Sequence, residues 1–307
     1  MKIVFMGTPD FSVPVLETLA KNHDVKCVIT KVDKRCGRGQ KMQAPPVKET
    51  ALKLNIPVYQ PQRLKKNQEC IDLIKEINPD AIAVVAFGQL LPSEILNIPH
   101  YGCINVHASL LPDLRGAAPI NWAVIKGYKK TGITTMKMDE GLDTGDILLK
   151  RAVEIGDTET AGELFDKLSK IGPDLLLETL DKIESGQIEP IKQDDSKSTY
   201  APMMNKELGK ICWDKDCREV YNLIRGVTPW PGAYTIHNGK IIKIWEASVI
   251  DDINDTPGKV IKTDNEIIIS CGSGAIGIKE LQEQGKKKMD AMSYLNGHSI
   301  KINEVFK

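Results

Sequence analysis

Residues 2–6 form a short apolar run, and 11–21 carry Val15, Leu16 and Leu19 on one side of a helical spacing. A second strand is expected at 25–30, a helix at 46–54, an extended pair at Val58-Tyr59, a helix at 67–77 and an unbroken apolar run at 81–86. Gly7 permits a tight turn after the first strand, with Thr8 as the expected helix cap and Pro9 at the first helical position. Strands apolar on both faces, alternating with amphipathic helices, are the signature of a mostly parallel sheet covered on both sides. The pattern therefore predicts an open, Rossmann-like α/β sheet. Further strands are expected at 103–106 and 133–138, and a helix over 161–186, broken or bent at Gly172-Pro173.

Past about residue 205 the period changes. One helix near 216–225 is followed by short runs at 233–236, 241–249, 258–262, 266–270 and 275–281, with turn signals at His237-Asn238-Gly239 and Asp264-Asn265. This predicts a small C-terminal β-barrel of the oligonucleotide-binding (OB-like) type. The polar stretch 192–199 reads as a connection. The expected organisation is a first domain over 1–189, a linker over 190–206 and the barrel over 207–307.

Composition adds limits. At 307 residues two domains are the natural expectation, and 41 Lys+Arg balance 41 Asp+Glu, so net charge favours no anionic partner. One local departure is the loop holding Lys31, Lys34, Arg35, Arg38 and Lys41 against the single acid Asp33, with Gly37 and Gly39 flanking Arg38. A second is Lys286-Lys287-Lys288. Seven scattered cysteines with no C-x-x-C pair suit reduced thiols rather than a disulfide or zinc framework. No apolar run approaches membrane-spanning length, so no membrane span and a cytoplasmic protein are expected, with no metal.

The chemistry concentrates in Asn105, His107 and the Gly141–Asp146 turn, which supplies Asp143 and Asp146. In open parallel sheets ligands lie beyond the carboxyl ends of the strands, where the segment after 103–106 and Phe87-Gly88 both fall. An amide donor, an imidazole and a carboxylate are what attack on a small carbonyl requires. Ser109 opens a second possibility, a Ser-His-Asp acyl-enzyme, but it lacks the G-x-S-x-G elbow. The first turn, Gly7-Thr8-Pro9-Asp10-Phe11, lacks the later glycines of a dinucleotide fingerprint, which argues against nicotinamide chemistry. Trp213, Trp230 and Trp245 suit the core better than base stacking.

The blocks Gly7-Thr8-Pro9-Asp10-Phe11, Gly37-Arg38-Gly39, residues 85–92, Asn105-Val106-His107-Ala108-Ser109-Leu110-Leu111-Pro112, residues 115–120, Gly141-Leu142-Asp143-Thr144-Gly145-Asp146, Trp213 and Pro229-Trp230-Pro231 resemble, over essentially the whole chain, the methionyl-tRNA formyltransferases among the 10-formyltetrahydrofolate-dependent formyltransferases. The resemblance implies transfer of a formyl group from 10-formyltetrahydrofolate to the amino group of initiator methionyl-tRNA; a monomer is expected. It assigns catalysis to Asn105, His107 and Asp143, preferring Asp143 to Asp146. The folate slot would be formed by Phe87, Gly88, Gln89, Leu90, Ser109, Leu110, Leu111, Pro112, Asp139, Glu140 and Gly141. Transfer RNA would meet Arg35, Arg38, Lys41, Lys286, Lys287 and Lys288.

Glycinamide ribonucleotide formyltransferases resemble the first domain alone. Enzymes that formylate amino-sugar nucleotides carry a second barrel-like domain and are the alternative acceptor class; the basic loop and the lysine triplet favour tRNA. Hydrolysis of the formyl-folate and a non-catalytic RNA-binding role complete the alternatives. Two features depart from the family pattern: Ala108 stands where glycine is frequent, and the C-terminal domain is less basic.

Overall fold

A computed structural model describes residues 1–36, 40–253 and 255–307. The chain forms two compact units, one made of 1–119, 131–153 and 165–201, the other of 120–130, 154–164 and 202–307.

In chain order the elements up to residue 201 are β1 (Lys2–Gly7), α1 (Val13–Asn22), β2 (Asp24–Ile29), β3 (Lys34–Cys36), β4 (Lys41–Gln43), α2 (Pro46–Lys53), β5 (Val58–Tyr59), α3 (Gln68–Ile77), β6 (Ala81–Val85), α4 (Ser93–Leu96), β7 (Cys103–His107), β8 (Arg115–Gly116), α5 (Pro119–Ile125), β9 (Lys130–Lys137), β10 (Ile147–Glu154), α6 (Ala161–Glu184) and β11 (Tyr200–Ala201). The main sheet of the first unit has the order β10-β9-β7-β6-β1-β2-β5. Pairings β1–β2, β1–β6, β2–β5 and β6–β7 are parallel, while β9 runs antiparallel to β7. Every residue of β6 and β7 is buried, which accounts for their uninterrupted apolar runs. On one face Val4, Met6, Ile82, Val84 and Phe87 pack with Cys70, Ile71 and Ile74 of α3 and Ile95 of α4.

The chain winds outward from β1 to β2 and β5, then returns to the other side of β1 as β6. The topological switch therefore lies between the carboxyl ends of β1 and β6. Ser12 joins these ends, donating its hydroxyl to the Val85 carbonyl at 2.7 Å. Thr8 does not cap a helix as expected: a short 3-10 turn at Asp10–Ser12 intervenes, α1 starts at Val13, and the buried Thr8 hydroxyl has no partner among the described residues. Helix α6 runs unbroken from 161 to 184 with Pro173 inside it, so of the expected break or bend the break is absent.

The second unit carries α7 (Cys217–Gly226), β12 (Ala233–His237), β13 (Lys240–Ile250), β14 (Val260–Thr263), β15 (Ile267–Ser270), β16 (Ala275–Glu283), β17 (Met289–Asp290) and α8 (Ala291–Gly297). Its antiparallel sheet has the order β12-β13-β16-β15-β14, with β17 also on β16. The β12–β13 turn places Asn238 at φ 48° and Gly239 at φ 74°, the left-handed pair that a tight hairpin demands. Residues 303–307 close the sheet. The Ile236 and Lys307 backbones exchange both hydrogen bonds, while on the β14 side Val260 donates to Glu304 and accepts from Asn303. Phe306 is buried and stacks on His237 at 4.2 Å, and His237 lies 2.7 Å from the Glu304 carboxylate. Among the described residues no helix is long and apolar enough to cross a membrane.

Candidate active site

Strand β7 places Asn105 and His107 two residues apart and so on one face, buried to 9% and 6% exposure. Among the described residues the Asn105 amide makes no side-chain hydrogen bond, so its N–H groups are open to a ligand oxygen. The His107 ring, by contrast, is held at one nitrogen and faces a carboxylate with the other. Nε2 lies 3.0 Å from the Leu114 carbonyl oxygen, an acceptor, so Nε2 carries a hydrogen. Nδ1 lies 3.7 Å from Asp143 Oδ2, too far for a hydrogen bond and close enough for strong attraction whenever the ring is protonated.

Two left-handed residues create this geometry. Leu114 has φ 58° and Asp143 φ 55°, conformations that cost about 1–3 kcal/mol in non-glycine residues and persist only where neighbours enforce them. At Leu114 the N–H donates to Thr199 Oγ1 at 2.8 Å, which turns the carbonyl onto His107. At Asp143 the carboxylate accepts the Gly116 N–H at 2.8 Å, and the backbone carbonyl accepts from Gln193 Nε2 at 2.8 Å. Gly116 has φ 114° and a Cβ there would meet Ala201 O at 2.7 Å, so β8 approaches β11 only because residue 116 is glycine. Gly145 is equally constrained: a Cβ would be driven into the Lys137 carbonyl. Asp139 braces the same turn, accepting from Thr144 Oγ1 at 2.7 Å and the Gly141 N–H at 3.0 Å.

Ser109 is fully buried and donates to the Asp113 carbonyl at 2.6 Å. With its proton committed there, and both His107 nitrogens facing other groups, no Ser-His relay exists in this arrangement. Cys103, at the head of β7, is no nucleophile either, because burial pushes its thiol up to about 12.

The residues read as a folate slot separate into two kinds. Phe87 and Leu111 are core side chains, at 2% and 0% exposure, so they offer a ligand backbone rather than apolar surface. Leu90 is exposed, as are Gly88, Asp139, Glu140 and Gly141; Leu110 and Pro112 are half-buried. Gln89 is tied back, its Oε1 accepting the Leu64 N–H at 3.1 Å. It borders a cavity of about 330 Å³ lined also by Lys31, Val32, Lys34, Pro61, Gln62 and Arg63, beyond the carboxyl end of β2. Burial, and secondarily the Lys34 charge, hold Lys31 below the usual lysine value there.

Arg35 and Lys41 lie exposed on the β3–β4 hairpin. Arg38 lies outside the described residues. In the second unit Lys286 and Lys287 are exposed, whereas Lys288 is paired with Glu280 and sits 6.0 Å from the Trp245 ring. Trp213 is buried and donates to Thr235, as a core residue; Trp230 is 53% exposed. Asp146 is exposed, ahead of β10. Thr134, Gln193 and Thr199 were not anticipated. Thr134, in register with His107, accepts the Leu111 N–H at 3.1 Å and donates to the Ser109 carbonyl at 2.6 Å, fixing the turn between them. Thr134 lay inside a strand read as packing, and the other two in a stretch read as a connection. Their one local signal is hydrogen-bonding capacity.

The described residues include no cluster of three His, Cys, Asp or Glu placed to hold a metal ion. Residues 1–180 match the Formyl transferase family, and residues 203–299 match its C-terminal domain. Methionyl-tRNA formyltransferases of Caldanaerobacter subterraneus subsp. tengcongensis and Clostridium novyi are 51% and 52% identical to this chain, each over 100% of both chains. The chain belongs to the methionyl-tRNA formyltransferase family. Among solved structures, an N-formyltransferase from Helicobacter canadensis, in complex with folinic acid and dTDP-3-aminofucose, superposes with a TM-score of 0.69 at 22% identity, covering 91% of this chain and 99% of that one. At that identity the likeness shows a shared fold, and the family's assignment comes from the full-length relatives.

Proposed function

We propose that this chain transfers the formyl group of 10-formyltetrahydrofolate to the α-amino group of initiator methionyl-tRNA, with the folate as co-substrate. In this reading 1–189 is the catalytic domain, 190–206 the connection and 207–307 the tRNA-binding domain of a cytoplasmic, monomeric enzyme. The observation that supports it is the convergence of an open amide at Asn105, an oriented imidazole at His107 and a carboxylate at Asp143, in a chain about half identical to relatives of that name over full length.

In this reading the events run in order. The methionyl nitrogen attacks the formyl carbon, forming a C–N bond and an oxyanion that Asn105 stabilises as hydrogen-bond donor. The attacking nitrogen must lose a proton, and the open position near it is the His107 Nδ1 lone pair. Protonation leaves an imidazolium between the Leu114 carbonyl and the Asp143 carboxylate. In that form, and only then, His107 has an Nδ1–H to offer the oxyanion. It returns the proton to N10 as the C–N10 bond breaks and tetrahydrofolate departs. No covalent enzyme intermediate is needed. The slot at 87–90, 109–112 and 139–141 would hold the folate, chiefly through backbone groups. Arg35, Arg38, Lys41 and Lys286–Lys288 would meet the RNA backbone.

The test is to mix the protein with 10-formyltetrahydrofolate and charged methionyl-tRNA and follow formylation of the amino group, offering an aminated sugar nucleotide in parallel. Product on tRNA alone is expected. Product on the sugar alone would overturn the acceptor, and free formate without a formylated acceptor would overturn the transferase reading.

A further inference from the structure

The segment ahead of β11 enters the site through one side chain. Gln193 is 7% exposed in a stretch that is otherwise polar and mostly exposed. All four of its principal hydrogen-bonding positions are used. Its Oε1 accepts from Arg115 Nε at 3.1 Å and Nη2 at 2.9 Å, and its Nε2 donates to the carbonyls of Asp143 at 2.8 Å and Gly145 at 2.7 Å. Arg115 is fixed in turn by Asp195 at 2.7 Å and adjoins Gly116, whose N–H binds the Asp143 carboxylate. The left-handed residue carrying that carboxylate is thus gripped at its own carbonyl and at a carbonyl two residues on. A buried amide with both donors spent on two carbonyls of one turn is a costly arrangement to leave half satisfied.

We propose that Gln193 is a positioning residue for formyl transfer, setting the Asp143 carboxylate against His107 without touching either substrate. The inference rests on the function proposed above. Gln193→Glu keeps the side-chain volume and the Arg115 contact, deletes both donors and sets a carboxylate against two carbonyls. Gln193→Met removes every hydrogen bond at similar length and serves if the first variant folds poorly.

The expected result for both is a fall in kcat of about ten- to a hundredfold, as for an ångström-scale misplacement of a catalytic group, with KM for folate and for tRNA within about threefold of the parent. In an Asp143→Asn background the same changes should slow turnover by no more than about threefold, since contacting groups of one network are not additive. Amide hydrogen exchange, read by NMR, should speed up at Gly116 by about tenfold or more while β6 amides keep their protection. A kcat within about threefold of the parent, or a loss that multiplies undiminished onto Asp143→Asn, would overturn the proposal. A parent protein that formylates nothing would instead overturn the proposed function. The exchange measurement then judges Gln193 alone: unchanged Gly116 protection in both variants refutes the positioning role.

Discussion

Asp143→Asn isolates a charge from a shape. The carboxylate oxygen nearest His107 Nδ1, at 3.7 Å, is the one that accepts the Gly116 N–H, and an amide oxygen in its place keeps that hydrogen bond and the left-handed turn. What disappears is the attraction between a carboxylate and the imidazolium that the proposed proton transfer from the amine would form. At 3.7 Å and an effective dielectric constant near 20 that attraction is about 4 kcal/mol. Both side chains are largely buried, at 6% and 12% exposure, so solvent screens little of it. Because the charge develops only along the reaction, the loss falls on kcat and amounts to about a thousandfold. The assay is single-turnover formylation with saturating folate, with folate binding measured separately by fluorescence and expected to be unchanged. A variant slowed less than about tenfold would refute the reasoning, because His107 could not then be passing through a cationic state beside Asp143.

The remaining predictions address the alternatives and the scaffold. Ser109→Ala should retain turnover within about tenfold, since the hydroxyl binds the Asp113 carbonyl and leads to no nucleophile; abolished activity with an intact fold would restore the acyl-enzyme reading. Replacing Arg35 and Lys41 together by Ala should raise KM for tRNA and reduce the slope of log K against log salt by about 1.5–2, leaving folate binding unchanged; an equal loss of folate binding would contradict that division. Phe306→Ala should destabilise the second unit by about 3 kcal/mol, as the ring is 2% exposed where residues 303–307 close the sheet, measurable by thermal unfolding. Glu283→Gln should lower thermal stability at pH 7 and match the parent in acid. The Lys240 hydrogen bond, helped by the Tyr294 hydroxyl and opposed by burial, holds the Glu283 carboxyl below its usual value, so its contribution is present above the unfolded carboxyl value near 4.3 and vanishes as pH falls through the lower folded one. A gap that persists below about pH 3 would refute this.

The sheet was legible because its strands are buried on both sides: residues 2–6 and 81–86 are apolar runs for that reason, and their observed bounds differ by a residue. The barrel strands were legible because each is bounded by turn residues, as Asn238-Gly239 shows with two left-handed angles. Its closure was not, because residues 303–307 are short, alternate little and are recruited by pairing with Ile236 and Val260, more than forty residues away. Thr8 misled for a similar reason. Its type and place suit a cap, but Ser12 satisfies the β6 carbonyl and the helix begins later.

Asn105, His107 and Asp143 stood out because their residue types carry the chemistry, yet residue type said nothing of which histidine nitrogen would be free. That depends on a leucine carbonyl seven residues on, turned inward at φ 58° by a threonine hydroxyl eighty-five residues further along. A neutral histidine whose Nε2–H is occupied can take a proton at Nδ1 before it can give one. On the proposed mechanism it is then no oxyanion donor at the outset, and that task falls to Asn105, whose amide makes no side-chain hydrogen bond among the described residues. The proposed order of amide first and imidazolium second thus rests on where Leu114 and Thr199 sit. A Thr199→Val substitution, by releasing the Leu114 N–H, should disturb proton transfer without disturbing the amide.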